Sequence, residues 1–421
     1  MIMDCEKYAG KCVCGKEHPL ETKKVVVEYN AIANFEQYMQ DVGLADKRRV
    51  VVYDSWVYGI TEGKHIYINE ARGDQEVVLP AQGLRAEDVL IEDFMSKLDK
   101  PEVIVAFGAG TIMDFGRYPA FKLGIPFVAV PTLASSDGFT ASICSAILNG
   151  QKKSTRMCAP ALVVADLDII KGAPMRLVSS GLNDILAKYI SVLDWKIATL
   201  VSGEDFCPVI CGLAEHALEL MRGAAEKLAA TGEVDHEAMT MAQMESGLTM
   251  QLWPDSRPAS GAEHLIAHLV EMHPVGFEGA EGIHGECVGV GTFRCIQKYH
   301  EIAAMGTPKA KKFEPLTSEW VMEKFGERLY DGIMKENAPD KDILGKFDPQ
   351  NIVDHWDEIK AMIDALPSAE EMEKLYSACG CKYLPEHIGI DPALSEEILP
   401  VSAAIRNRLT LIRMLRVLDF E

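Results

Sequence analysis

The sequence lacks long apolar runs, and its first residues do not predict a leader. No apolar stretch approaches the roughly 18 residues that a membrane-spanning helix needs. The first residues, MIMDCEKYAGKCVCGKEH, contain no apolar segment typical of a signal peptide. The 11 cysteines are odd in number and scattered, which is typical of reduced thiols rather than a disulfide framework. We therefore expect a cytoplasmic chain without membrane insertion.

Basic residues are also scarce. Lys and Arg total 42 against 63 Asp and Glu, which gives a formal net charge of -21. Nucleic acids and anionic membranes both require a positive surface, so neither is expected as a partner. An anionic substrate would need local positive potential from a metal, a helix N-terminus or a few basic side chains. The chain has 421 residues, 48% of them hydrophobic, and is too long for one core, so two domains are expected.

Two patterns divide the chain. Short, β-branched apolar runs separated by polar segments predict a parallel sheet covered by helices. After Pro174, apolar residues recur at spacings of three and four, which predicts helices. We expect a Rossmann-like α/β domain at residues 24–175, an all-α domain at 176–421, and a cysteine-rich extension at 1–23. The predicted strands lie in KKVVVEY, RRVVVYD, EVVLP, PEVIVAF, GIPFVAV and PALVVAD.

Polar and glycine-rich turns follow several of these strands. Asp54 ends one strand, where a carboxylate often binds an adenosine ribose in nucleotide folds, although capping of the next helix is the alternative. The next turn, Gly108-Ala109-Gly110, leads into a helix that contains Asp114. Glycines here let a backbone approach a phosphate, but the pattern is G-x-G-x-x-x-D, and a plain tight turn is the alternative. A further loop is dense in hydrogen-bonding groups, namely Thr132, Ser135, Ser136, Asp137 and Ser142.

The helical half contains a candidate metal centre. His264 and His268 are four residues apart and would share one helix face, and His284 follows an acidic, glycine-containing break. Asp184 and Lys188 are likewise four apart among apolar neighbours. One Asp and two His make a complete ligand set for a catalytic metal. A half-buried polar stripe for the histidines, and a helix-dipole partner for Asp184, are the alternatives.

The N-terminal segment carries a second group of soft ligands. Cys5, Cys12, Cys14 and His18 form C-x6-C-x-C-x3-H within 18 residues. Four such ligands could hold a structural zinc, although C-x-C is tighter than the usual C-x2-C spacing. Incidental cysteines near a chain terminus are the alternative, and the group is not assigned to the main site.

Several motifs, in order, carry a family resemblance. They are GAGTIMD, PTLASSDGFTAS, SGLNDILAKYISVLDW, SRPASGAEHLIAH, GIHGE and IRNRLTLIRML. Together the chain from about residue 24 to 415 resembles the iron-containing alcohol dehydrogenase and dehydroquinate synthase superfamily, and within it the bacterial sn-glycerol-1-phosphate dehydrogenases. The resemblance implies a nucleotide-binding domain, an all-helical domain and an active site in the cleft between them.

The resemblance also implies a role for each motif residue. Asp184, His264 and His284 would bind one divalent metal, zinc first, with nickel or iron as alternatives. His268 would contact the substrate and act with Asp184 in catalysis, and Lys188 stands where some members have a further histidine. Asp137 would bind substrate hydroxyls, and Ala141 stands where the family often has serine, next to Ser142. NAD or NADP would be bound by Asp54, Gly108, Gly110, Thr111, Ile112, Met113, Asp114, Thr132, Leu133, Ala134, Ser135 and Ser142.

The implied reaction is hydride transfer between NAD(P)H and dihydroxyacetone phosphate, giving sn-glycerol-1-phosphate, with the metal as Lewis acid. Arg257 is a candidate for the substrate phosphate because a guanidinium binds phosphate through two parallel hydrogen bonds. A loop salt bridge is the alternative for Arg257. A glycerol or small-alcohol dehydrogenase of the same superfamily and a dehydroquinate-synthase-type lyase are the alternative functions. The family suggests a homodimer or higher oligomer.

Overall fold

The computed structural model describes residues 1–5, 8, 10–148, 151–253 and 255–420. The chain forms two compact units. Unit 1 comprises Met1–Val178 and Asp235–Asp255, and unit 2 comprises Ser179–Val234 and Ser256–Glu421. Within the described ranges, every helix is too short or too polar to cross a bilayer.

Unit 1 is built around a largely parallel sheet. The strands of unit 1 are β1 (Ile2–Asp4), β2 (Gly10–Lys11), β3 (Glu17–His18), β4 (Lys24–Glu28), β5 (Arg49–Asp54), β6 (Gln75–Leu79), β7 (Val103–Gly108), β8 (Phe127–Pro131), β9 (Ile143–Leu148), β10 (Gln151–Arg156) and β11 (Leu162–Asp166). In the described residues the sheet has seven strands in the order β1-β4-β11-β8-β7-β5-β6, and β2-β3 and β9-β10 form two separate hairpins. Among the seven strands, β1 alone runs antiparallel to its neighbour.

The predicted α/β fold class and its six parallel strands are confirmed. Their Val, Ile and Ala side chains are almost fully buried in β4, β7, β8 and β11, as expected for a sheet covered on both faces. The segment 1–23 was predicted as an extension outside the domain. The structure instead places Ile2–Asp4 on the sheet, antiparallel to β4, so this segment belongs to unit 1.

Helices make up most of the remaining regular structure. In chain order they are α1 (Phe35–Asp41), α2 (Ser55–Ile60), α3 (Asp88–Ser96), α4 (Gly110–Leu123), α5 (Leu167–Ile170), α6 (Met175–Leu186), α7 (Lys188–Ser202), α8 (Pro208–Thr231), α9 (His236–Leu252), α10 (Ala262–Met272), α11 (His284–Ala304), α12 (Ser318–Glu336), α13 (Gln350–Asp354), α14 (Trp356–Asp364), α15 (Ala369–Ala378), α16 (Ile398–Ser402) and α17 (Leu411–Met414). Where the structure describes unit 2, its strands are the pair β12 (Lys309–Ala310) and β13 (Leu418–Asp419).

Helix α9 belongs to unit 1, although the sequence pattern placed all of 176–421 in the helical domain. Its Gln243 donates a hydrogen bond to the carbonyl of Ala134 at 2.6 Å, and its Ser246 hydroxyl donates to the Asp137 carboxylate at 2.8 Å. A Cβ on Gly247 would lie 2.3 Å from the carbonyl oxygen of Asp137. The glycine therefore lets α9 approach the polar loop after β8, which explains its place in unit 1.

Glycines also set the spacing of the helices that carry the histidines. A Cβ on Gly285 of α11 would lie 2.0 Å from the carbonyl oxygen of Ser180 in α6. A Cβ on Gly291 would lie 2.2 Å from the carbonyl oxygen of Glu263 in α10. Because neither contact leaves room for a side chain, the run HGECVGVG packs α11 directly against α6 and α10. This close packing brings the ends of the three helices together.

Candidate active site

Three side chains from three helices converge in unit 2. Asp184 lies in α6, His264 in α10, and His284 is the first residue of α11. The Nε2 atoms of His264 and His284 lie 3.4 Å and 3.7 Å from Oδ1 of Asp184. Two ligand atoms about 2.0–2.2 Å from one tetrahedral zinc ion would be roughly 3.4 Å apart. The residues present therefore fit a single divalent metal.

The electrostatics of this cluster favour a bound cation. Burial opposes ionisation of Asp184, but Lys188 and the two histidines outweigh it and hold the pKa of Asp184 well below its usual range. Burial also opposes protonation of His264, yet hydrogen bonds to Asp184 and Glu263 raise the pKa of its imidazole to about 9. The two carboxylates that favour a proton on His264 would equally favour a metal cation at this place.

Glu263 orients the first histidine ligand. Its Oε1 accepts hydrogen bonds from Nδ1 of His264 at 2.7 Å and from the backbone N–H of Gly261 at 2.8 Å. Because Nδ1 is held this way, Nε2 of His264 is directed towards Asp184. Such a carboxylate behind a histidine fixes the tautomer and ring orientation of a metal ligand.

A second glutamate, Glu271, lies near both His268 and His284. Its carboxylate is 3.3 Å from Nδ1 of His268 and 3.9 Å from Nδ1 of His284. The sequence analysis missed both glutamates. The available signal was position: Glu263 is next to a candidate ligand, and Glu271 is three residues after His268 on the same helix face.

Lys188 is fully buried at the start of α7. Its Nζ donates hydrogen bonds to the carbonyl oxygens of Asp184 and Ala259, both at 2.9 Å. A buried ammonium is stable only with such partners and a nearby negative charge, which Asp184 provides. Lys188 therefore adds fixed positive charge beside the Asp184 carboxylate.

His268 lies next to the three-ligand group but outside it. Its side chain is 24% exposed, and its ring centroid is 6.4 Å from that of His284. Burial lowers the pKa of His268 to about 4, and the charges of Arg406 and His284 act in the same direction against Glu271. The imidazole is therefore neutral near pH 7.

The contacts of Arg257 differ from those that the phosphate hypothesis requires. It is 1% exposed, and its guanidinium donates hydrogen bonds to Glu204 at 2.6 Å and 2.7 Å and to the carbonyl of Leu409 at 2.7 Å. The structure supports the alternative interpretation, a buried salt bridge that joins loops. The cationic side chain that acts on His268 is that of half-buried Arg406, which the sequence analysis did not select.

Several predicted nucleotide-binding residues of unit 1 follow neighbouring strands at their carboxyl ends. Strands β8, β7 and β5 are neighbours and run parallel, so their carboxyl ends lie side by side. The turn after β7 therefore lies between Asp54, which ends β5, and the loop that begins at Thr132 after β8. In open α/β sheets this edge is where ligands bind.

The turn after β7 is shaped by its glycines. A Cβ on Gly108 would lie 2.8 Å from the Ile112 side chain, whereas a Cβ on Gly110 would meet nothing within 4 Å. Gly110 thus lies beside open space at the start of α4, whose N-cap Ala109 offers no side-chain hydrogen bond. The first N–H groups of a helix have no partner within it, so they can bind an anion.

Three predicted residues of α4 point inwards, whereas Thr111 is half-buried. Ile112 and Met113 are each 1% exposed, so only their backbone could reach a nucleotide. Asp114 is also buried, with its Oδ1 3.4 Å from the N–H of Ser145 and 3.6 Å from the Arg117 guanidinium. Gly116 was missed: a Cβ there would lie 2.7 Å from that of Ala106, so this glycine gives the close helix–strand packing.

Asp54 caps a helix, which was the alternative interpretation. Its Oδ1 accepts hydrogen bonds from the N–H groups of Trp56 at 3.0 Å and Val57 at 2.8 Å at the start of α2. Both capping hydrogen bonds use Oδ1 of Asp54 and not Oδ2. The residue is half-buried, so a ribose role stays a prediction.

The polar loop after β8 is mostly buried. Thr132 bonds through its N–H to the carbonyl of Gly108 at 3.2 Å, and Asp137 accepts the hydrogen bond from α9. Ser142 is fully buried, and Ser135 is half-buried. The backbone of Leu133 and Ala134 lies between these two contacts, at the sheet edge described above.

Comparison with known proteins identifies related chains. Residues 26–174 match the family described as iron-containing alcohol dehydrogenase. A glycerol-1-phosphate dehydrogenase (NAD(P)+) of Halalkalibacterium halodurans is 29% identical over 419 residues, which cover 98% of this chain and 97% of the relative. An enzyme of the same name from Bacillus licheniformis is 32% identical over 322 residues, covering 74% of this chain and 80% of the relative.

Solved structures share the fold. Glycerol dehydrogenase from Schizosaccharomyces pombe superposes with a TM-score of 0.56 at 20% identity, covering 90% of this chain and 97% of that one. This likeness in fold covers both units. The sequence identities show that the chain belongs to the glycerol-1-phosphate dehydrogenase branch of the iron-containing alcohol dehydrogenase family and is an NAD(P)-dependent oxidoreductase.

Proposed function

We propose that the chain interconverts dihydroxyacetone phosphate and sn-glycerol-1-phosphate with NAD(H) or NADP(H). The main support is the Asp184–His264–His284 centre in a chain that matches relatives of that name over nearly its whole length. When bound, the metal would supply a Lewis acid for the substrate's oxygen, and the nicotinamide would supply or accept the hydride. Zinc is the proposed ion, since one carboxylate and two imidazoles suit it.

His268 is proposed to handle the substrate's hydroxyl proton. If Nδ1 keeps its proton and donates to Glu271, Nε2 carries a lone pair. A neutral imidazole of this kind accepts the proton of the C2 hydroxyl at Nε2 during oxidation and returns that proton during reduction. The low pKa of His268 keeps Nε2 in this acceptor form across the physiological range.

Arg406 is proposed to bind the phosphate in place of Arg257. A chain of net charge -21 needs local positive charge to hold a dianion. Arg406 is half-buried, and its positive charge helps to lower the pKa of His268, which supports a place for it near the proposed substrate. Arginine binds phosphate with two parallel hydrogen bonds, which also fixes the orientation of the substrate.

The nucleotide is proposed to bind at the carboxyl edge of the unit 1 sheet. Its pyrophosphate would lie at Gly110 and Thr111, where the first N–H groups of α4 meet open space. The ribose would bind Oδ2 of Asp54, because the cap of α2 uses Oδ1. A carboxylate there repels a 2′-phosphate, so we propose that NAD is preferred to NADP.

The decisive assay compares substrates. The purified protein should consume NADH when dihydroxyacetone phosphate is added. In the reverse direction, with the oxidised cofactor, it should oxidise sn-glycerol-1-phosphate far faster than sn-glycerol-3-phosphate or glycerol. Equal rates with both glycerol phosphates, or activity on glycerol alone, would reject this substrate and keep the oxidoreductase. A lyase reaction like that of dehydroquinate synthase would show no net NADH turnover.

A further inference from the structure

A second cluster of metal-binding side chains lies in the N-terminal segment of unit 1. The sulfur atoms of Cys12 and Cys14 and a ring nitrogen of His18 all lie within 4.8 Å of one another. Cys14 Sγ is 3.2 Å from His18 Nε2. Cys5, which the sequence motif also included, is fully buried against the carbonyl of Met3 and does not belong to this cluster.

A tight hairpin brings the three ligands together. Strand β2 pairs with β3 so that Gly10 faces His18, and the N–H of Cys12 donates to the carbonyl of Lys16 at 3.0 Å. Gly15 turns the chain with a φ of 83° and donates its N–H to the carbonyl of Cys12 at 3.0 Å. The left-handed glycine compensates for the short C-x-C spacing, because it folds the chain back immediately after Cys14.

The separations suit a zinc ion. With Zn–S near 2.3 Å and Zn–N near 2.0 Å, tetrahedral geometry places sulfur and nitrogen roughly 3.6 Å apart and two sulfurs roughly 3.8 Å apart. The side chains of Cys12 and Cys14 are both only partly exposed. His18 is 6% exposed, with its ring 6.1 Å from that of Trp253, so the imidazole is held in a fixed place.

We propose that Cys12, Cys14 and His18 bind zinc as a second, structural metal site, separate from the Asp184 centre. Its two thiolates and one imidazole occupy three positions of a tetrahedral ion, and a further ligand completes the fourth. Two paired strands of two residues each have too few contacts to be stable alone. The ion would stabilise this hairpin, and with it the segment between edge strand β1 and strand β4.

Cobalt substitution tests the site in the full-length protein. The Asp184 centre contains no sulfur, so a thiolate-to-cobalt charge-transfer band in the near ultraviolet reports only a cysteine site. Protein stripped of metal and loaded with Co²⁺ should show this band. It should be lost or clearly reduced in C12S and C14S, and unchanged in H264A and in C158S, whose thiol is also half-buried. Absence of the band, or its persistence in the C12S/C14S double variant, would overturn the proposal.

Alkylation of the unaltered chain gives a test that needs no variant. Zinc-loaded and chelator-treated protein are exposed to iodoacetamide, and peptides are quantified by mass spectrometry. Cys12 and Cys14 should be at least ten times less modified with zinc, while Cys158 should not change. Equal modification of Cys12 and Cys14 in both samples would contradict a bound ion. C14S should also keep NADH turnover when the Asp184 centre is loaded, so this result is independent of the proposed function.

Discussion

The clearest test of how the active centre is built is the role of Glu263. Its Oε1 alone accepts both hydrogen bonds, one from His264 Nδ1 and one from the Gly261 N–H. Glu263→Gln keeps an acceptor oxygen of the same shape and removes the charge. Glu263→Ala removes both bonds and leaves the Gly261 N–H buried without this partner. The two variants therefore separate charge from hydrogen bonding.

The size of the effect follows from that geometry. Loss of an outer-shell partner of a metal ligand typically weakens metal binding 10–100-fold, or roughly 1.4–2.7 kcal/mol. We expect about tenfold for Glu263→Gln, because the orientation of His264 survives, and about 100-fold for Glu263→Ala. Glu226→Gln is the control, since Glu226 lies in an exposed pair with Arg222 on α8.

The measurement is the dissociation constant of the metal, by competition with a chelator of known affinity. NADH turnover at saturating metal gives an independent readout, and it should recover to within a few-fold of wild type. The expected order of affinity is wild type, then Glu263→Gln, then Glu263→Ala. If Glu263→Ala binds metal as tightly as wild type, Glu263 does not orient His264, and the proposed outer shell is wrong.

Three further variants test the remaining assignments. His268→Ala should lower turnover at least 100-fold with metal content unchanged by elemental analysis; loss of metal would make His268 a ligand instead. Arg406→Gln should raise the KM for dihydroxyacetone phosphate at least tenfold, or about 1.4 kcal/mol, and an unchanged KM would exclude it from the phosphate site. Burial raises the pKa of the Asp194 carboxyl to about 6, so the folded state binds its proton more tightly than the unfolded chain does. The free energy of unfolding therefore falls as the pH rises from the unfolded-state pKa of about 3.9 through the folded-state pKa. Relative to Asp194→Asn, wild type should lose about 1.4 kcal/mol of unfolding free energy from pH 5 to 7.5 in denaturant titrations, and no change would reject the raised pKa.

The sheet was predictable because its strands are short, β-branched and buried on both faces. Runs such as VIVAF and VVVY leave no polar face, so their pattern specifies a covered parallel strand. Helix α9 shows where pattern fails. Residues Met239–Leu252 are buried throughout, including Thr, Gln, Glu and Ser. Polar residues therefore do not mark an exposed face of this helix, and its sequence pattern does not indicate which elements it packs against. Its assignment to unit 1 depends on hydrogen bonds to the loop after β8, which no periodicity encodes.

The three candidate ligands were predicted from the sequence and lie together in the structure, whereas the residues that support them were not predicted. Asp184, His264 and His284 have side chains whose chemistry points to a metal whatever their surroundings. Arg257 and Arg406 are both arginines near a motif, and sequence alone gives no reason to prefer one. Only the carboxylate of Glu204, 53 positions away in the chain, explains why Arg257 serves as a structural ion pair. Partners distant in sequence decide such cases.

Formal charges around the centre support the proposal of both a metal and an arginine. Asp184, Glu263 and Glu271 contribute three negative charges and Lys188 one positive charge, so with neutral histidines the sum is -3 + 1 = -2. The raised pKa of His264 is consistent with this excess of negative charge, because a proton on His264 neutralises part of it. A divalent ion brings the sum to zero and leaves nothing to attract a phosphorylated substrate. The positive charge for the phosphate must therefore come from outside the ligand set, which is the role proposed for Arg406.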